Sequence, residues 1–124
     1  MKNYILKEEG IKFINDLLHL KIRDFYIYNK LISNILKIKT NIPIYVDKYI
    51  VFLPIKSYKA YDCIWISYKN IKEVIDNKNS VIIKFLNGEI KSFDINFNKL
   101  NRIIKNANII INYFEKIECE NEII

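Results

Sequence analysis

Apolar residues along this chain follow two regimes that change near Pro43. Upstream, Ile11, Ile14, Leu17 and Leu18 recur at helical spacing and predict a short helix from Glu9 to Lys21. Arg23 to Tyr28 is dense in aromatic and β-branched side chains and reads as a strand. Leu31 to Lys39 is ambiguous. Leu31, Ile35 and Ile38 fit a helix face, and Leu36 directly after Ile35 breaks strand alternation. Pro43 ends whatever precedes it.

Downstream of Pro43 the pattern is that of strands. Ile44 to Val46 and Tyr49 to Leu53 are short apolar runs divided by Asp47-Lys48, a tight hairpin. Cys63 to Tyr68 and Asn70 to Val74 read as further strands. Val81 to Phe85 and Glu89 to Ile95 flank Asn87-Gly88, the strongest short hairpin signal, because both residues tolerate the positive φ of a type I′ turn. The last element is the clearest. From Phe97 through Leu100, Ile103, Ile104, Ala107, Ile110, Ile111, Phe114 and Ile117, apolar residues step by three or four, with Asn96 or Asn98 placed to cap the start.

These elements predict one α+β domain over residues 1–124: an antiparallel sheet closed by a long C-terminal amphipathic helix, with a short N-terminal helix. Strands followed by a helix is also the order of small pleckstrin-homology-like (PH-like) barrels. That analogy concerns architecture alone.

Composition narrows the function classes. With 124 residues, half of them hydrophobic, the chain can bury one real core. No window approaches the roughly 18 apolar residues of a membrane span, and the opening residues lack a signal-peptide core. The expectation is a cytoplasmic protein without a membrane partner. Cys63 and Cys119, with the single His19, make a poor metal set, so no metal and no cofactor are expected.

The net charge of +6 is unevenly spread. Isoleucine, lysine and asparagine make up half the chain, a bias that AT-rich coding produces, so the total says little. Distribution says more. Residues 30–72 hold eight lysines against two aspartates, and the last ten residues hold four glutamates against Lys116. A basic middle suits a polyanion.

Catalysis has few candidates. No phosphate loop, nucleophile elbow or zinc-protease motif is present, and His19 lies in an apolar run. Asp62 beside Cys63 disfavours a thiolate. The expectation is a protein that is not an enzyme. Nucleic-acid binding has more support. Lys56, Ser57 and Lys59 sit in a basic, aromatic loop between strands, and Lys69, Lys72, Lys99, Arg102 and Lys105 are further phosphate candidates. By chemistry alone the loop serves equally as a solvated connection. Trp65, between Ile64 and Ile66, reads as core.

The order of certain residues adds a resemblance. Pro43-Ile44-x-Val46, then Phe52-Leu53-Pro54-x-x-Ser57, then Cys63-x-Trp65-Ile66-Ser67, with Asn87-Gly88 downstream, resembles the central motif of the competence transcription factor ComK family. The resemblance runs from Pro43 to Phe114. On it, Pro43, Phe52, Pro54, Cys63, Trp65 and Gly88 form a structural framework. Two departures stand out. Ile55 replaces the usual threonine, and Arg23 to Lys30 lacks the family's upstream cysteine, glycine and arginine motif. The chain also reads as shorter than family members at both ends.

The resemblance implies a DNA-binding transcriptional regulator and activator of competence, reading AT-rich duplex mainly through the minor groove and phosphates. It further implies assembly as a homo-oligomer and control through a protease adaptor. The departures keep an alternative open: a shortened, ComK-like protein-interaction module without sequence-specific DNA binding of its own.

Overall fold

This computed structural model describes residues 5–6, 25–55 and 64–122, and among them lie seven strands and two helices. The order is β1 (Ile5–Leu6), α1 (Phe25–Leu36), β2 (Ile44–Asp47), β3 (Ile50–Pro54), β4 (Trp65–Ser67), a 3-10 turn (Tyr68–Asn70), β5 (Ile71–Asn77), β6 (Ser80–Phe85), β7 (Ile90–Phe93) and α2 (Phe97–Glu122). The class is α+β. The N-terminal helix expected over Glu9 to Lys21 lies outside the described residues.

The strands form two antiparallel sheets, ordered β1-β4-β3-β2 and β5-β6-β7. Among the described residues no strand pairs across from one sheet to the other, so they do not close into a barrel. The long helix α2 serves both. Ile110 and Ile111 of α2 join a core with α1, β2, β3 and Trp65. Leu100, Ile103 and Ala107 join a second core with Leu53, Ile66, Val81, Ile83 and Phe85. Consecutive residues of β4 point to opposite faces, as the two-residue period requires: Trp65 enters the first core and Ile66 the second.

Two sequence expectations are corrected. Phe25–Tyr28 is not a strand but the first turn of α1, which continues to Leu36. Its aromatic content mimics a strand, but Phe25, Tyr28 and Ile32 are spaced for one helix face and all three are buried. Tertiary packing outweighs the local preference of aromatic residues for strands. Lys37, at φ 60°, takes the left-handed position that closes the helix.

The Asn87-Gly88 hairpin is present, but its turn is not type I′. Only Gly88 has positive φ, at 93°. The Gly88 N–H donates to the Phe85 carbonyl at 3.0 Å, and Phe85 N–H donates to Glu89 O at 2.9 Å. That is a three-residue loop with a glycine bulge. Asn87 stays out of the left-handed region while its Oδ1 accepts the Glu89 N–H at 2.9 Å. β5 also runs on to Asn77, three residues past the expected end, and turns at Lys78 into β6. The helix start is fixed by Asn96, whose Oδ1 accepts the Lys99 N–H at 3.1 Å, an N-cap worth about 1 kcal/mol.

Candidate nucleic-acid interface

Lys69 occupies the 3-10 turn, and that turn is held from several sides. The Tyr68 hydroxyl donates to Asn108 Oδ1 on α2 at 3.0 Å. Asn70 Nδ2 donates to Ser67 Oγ at 2.7 Å, and the Asn70 carbonyl accepts the Leu86 N–H at 2.9 Å. Tyr68 itself packs against both cores. The backbone under Lys69 is thus fixed while its side chain is exposed.

Lys72 follows at an irregularity. Ile71 pairs with Phe85 and Glu73 with Lys84, so Lys72 is the extra residue of a β-bulge. A bulge bends the strand and re-aims a side chain. The exposed Lys69 and Lys72 take part in no ion pair among the described residues. Lys84 and Lys91 differ, pairing with Glu73 at 3.5 Å and Glu89 at 3.9 Å. Uncompensated ammonium groups on fixed backbone can meet phosphates at little ordering cost.

Lys99, Arg102 and Lys105 are exposed on the first half of α2. They do not all join Lys69. Asn108 marks the helix flank that meets the 3-10 turn. At about 100° per residue, Lys105 lies about 60° from that flank, Arg102 about 120°, and Lys99 about 180°. Lys105 is on the near side and Lys99 on the far one. Lys56, Ser57, Lys59 and Cys63 lie outside the described residues.

The framework residues have clear places. The Pro43 carbonyl accepts the Tyr28 hydroxyl at 2.7 Å, anchoring α1 to the start of β2. Phe52 pairs with Ser67 and Pro54 with Trp65 across β3 and β4. Trp65 is buried and meets Phe25 edge-on at 5.9 Å. Gly88 supplies the positive φ of the β6–β7 loop.

Sequence reading passed over one pair. In the β2–β3 hairpin, Asp47 Oδ1 accepts the N–H groups of Tyr49 at 2.8 Å and Ile50 at 3.0 Å. The turn presents Lys48, with its Nζ 5.2 Å from the Tyr49 ring centroid, and Tyr49, which is 71% exposed. β3, which follows this tip, also lies against the 3-10 turn that carries Lys69. In the sequence this pair is a cation next to an aromatic in a turn, a pattern that turn formation alone also explains.

Other surfaces offer less. An open groove of about 610 Å³ runs along α2, lined by Ile109, Asn112, Tyr113, Glu115, Lys116 and Cys119. It gathers no acid–base pair in a confined space. Among the described residues no cluster of three His, Cys, Asp or Glu could hold a metal, and no helix is long and apolar enough to cross a membrane.

The sequence model of one family, described as ComK protein, matches residues 2–118. The chain belongs to the ComK family. The match extends well upstream of Pro43, so the membership reaches beyond the proline and tryptophan motifs into the divergent first third. ComK membership makes this a protein of the competence transcription factor kind. No curated protein and no solved structure matches the chain.

Proposed function

We propose that this ComK-family chain is a DNA-binding transcriptional regulator of competence that engages AT-rich duplex through phosphate and minor-groove contacts, without catalysis. The observation that carries the reading is the pair of exposed lysines, Lys69 and Lys72, in no ion pair among the described residues and set on a pinned 3-10 turn and a β-bulge. Family membership supplies the kind of partner, and the fixed cations supply a way to hold it. Lys, Asn and Ser side chains suit A·T-rich minor grooves, where base-specific contacts are few. Lys56, Ser57 and Lys59, and Lys105 on the near flank of α2, extend the set of phosphate contacts. A gel shift at low salt tests this with wild type, Lys69→Ala/Lys72→Ala and Lys56→Ala/Lys59→Ala. Wild type shifts an AT-rich duplex and the double variants shift it less; no shift by wild type rejects the reading.

One observation favours a second reading, a protein-interaction module. Leu31 and Ile35, one turn apart on α1, are 37% and 46% exposed. An apolar stripe on a helix suits a protein partner. Leu31→Lys/Ile35→Lys leaves DNA binding intact if only the first reading holds.

A further inference from the structure

The β2–β3 hairpin tip combines four features that an ordinary solvated turn does not need together. Its backbone is locked, since the Asp47 carboxylate takes two backbone N–H groups and so turns its charge toward the chain. A β-bulge at Val46, between the Tyr45–Val51 and Asp47–Ile50 pairs, re-aims the strand just before the tip. Tyr49 is 71% exposed, belongs to neither core, and lies 5.2 Å from the Lys48 ammonium. The 3-10 turn that packs against β3 carries Lys69, also exposed and in no ion pair among the described residues.

A flat ring beside a cation is chemically matched to a groove walled by phosphates. The groove floor offers sugar and base faces for the ring, and the walls offer anions for the lysine. A single ring is also thin enough for a groove about 6 Å wide, which a whole two-stranded ribbon is not. We propose that Tyr49 is a groove-probing residue of the DNA interface, its ring packed against the sugar–base floor while Lys48 beside it holds a phosphate of the groove wall. This rests on the DNA-binding reading and adds to it the residue that supplies the non-ionic part of the affinity.

The test separates ring from charge. Affinity of the full chain for a labelled AT-rich duplex is measured by fluorescence anisotropy over a salt series, for wild type, Tyr49→Ala, Tyr49→Gln, Tyr49→Phe and Lys48→Ala. Tyr49→Ala and Tyr49→Gln weaken binding about tenfold at every salt concentration, Tyr49→Phe stays within about twofold, and Lys48→Ala lowers the salt slope by about one. Thermal melts of all four variants match wild type. If wild type binds and both Tyr49→Ala and Tyr49→Gln remain within about twofold of it, the groove role is overturned and the DNA-binding reading survives. If wild type itself fails to bind, both fall.

Discussion

The Tyr28 hydroxyl accepts the backbone N–H of Tyr45 at 2.9 Å. Among the described residues β2 is the last strand of its sheet, and a helix side chain takes up its Tyr45 N–H. The same hydroxyl donates to Pro43 O at 2.7 Å, so one oxygen satisfies two groups where the chain enters the sheet. Tyr28→Phe keeps the ring and orphans both. We expect a loss of about 2 to 4 kcal/mol in urea denaturation. A loss below about 0.5 kcal/mol means that water replaces the hydroxyl.

Tyr45 gives a pH prediction. Burial pushes its phenol well above the ordinary value, and the Glu118 carboxylate, 3.2 Å from the hydroxyl, pushes it further. Glu115 and Asp47 add smaller contributions in the same direction. The native state therefore holds this proton more tightly than the unfolded chain. The stabilisation is fully present below the unfolded value of about 10 and is lost as pH rises from there toward the raised native value. Denaturation midpoints measured from pH 8 to 11 should fall above about pH 10 in wild type. Tyr45→Phe should flatten that alkaline fall; an unchanged slope assigns it to other groups.

Gly88 isolates a backbone effect from packing. A Cβ at this position meets nothing within 4 Å, so Gly88→Ala carries only the strain of positive φ. The expected loss is about 1 kcal/mol by thermal denaturation, with DNA affinity unchanged. A much larger loss shows that the β6–β7 loop has repacked.

Much of this fold was legible in the sequence, for identifiable reasons. The last helix has a regular apolar stripe and an asparagine cap, and nothing in its neighbourhood contradicts that local pattern. The β6–β7 hairpin was legible through Asn87-Gly88, although the turn type was not. Periodicity cannot tell whether both residues or only the glycine takes positive φ. Helix α1 was misread because Phe25 and Tyr28 are aromatic for tertiary reasons: one meets Trp65, and the other reaches Pro43 and Tyr45. Those partners lie 15 or more residues away, beyond any local window.

The candidate interface divides in the same way. Individual lysines were visible, but their grouping was not. The turn that carries Lys69 packs against β3, while Lys69 and Lys99 are separated by the turn of α2. The bulge at Lys72 likewise depends on a pairing with β6 that composition does not encode.

This geometry predicts unequal contributions from the cations. Lys69→Ala/Lys72→Ala should reduce the dependence of DNA affinity on salt by about two phosphate contacts, and Lys99→Ala should leave it unchanged. Circular dichroism should remain unchanged, since all three side chains are exposed. A larger effect from Lys99→Ala places the DNA on the far flank of α2 instead.

The central claim is tested most directly by competition. A labelled AT-rich duplex bound to the wild-type chain at low salt is challenged with unlabelled AT-rich and GC-rich duplexes of equal length. The account predicts that the AT-rich competitor displaces the label at concentrations at least about tenfold lower, a difference of about 1.4 kcal/mol. Equal displacement by both duplexes, or no complex at all, contradicts it.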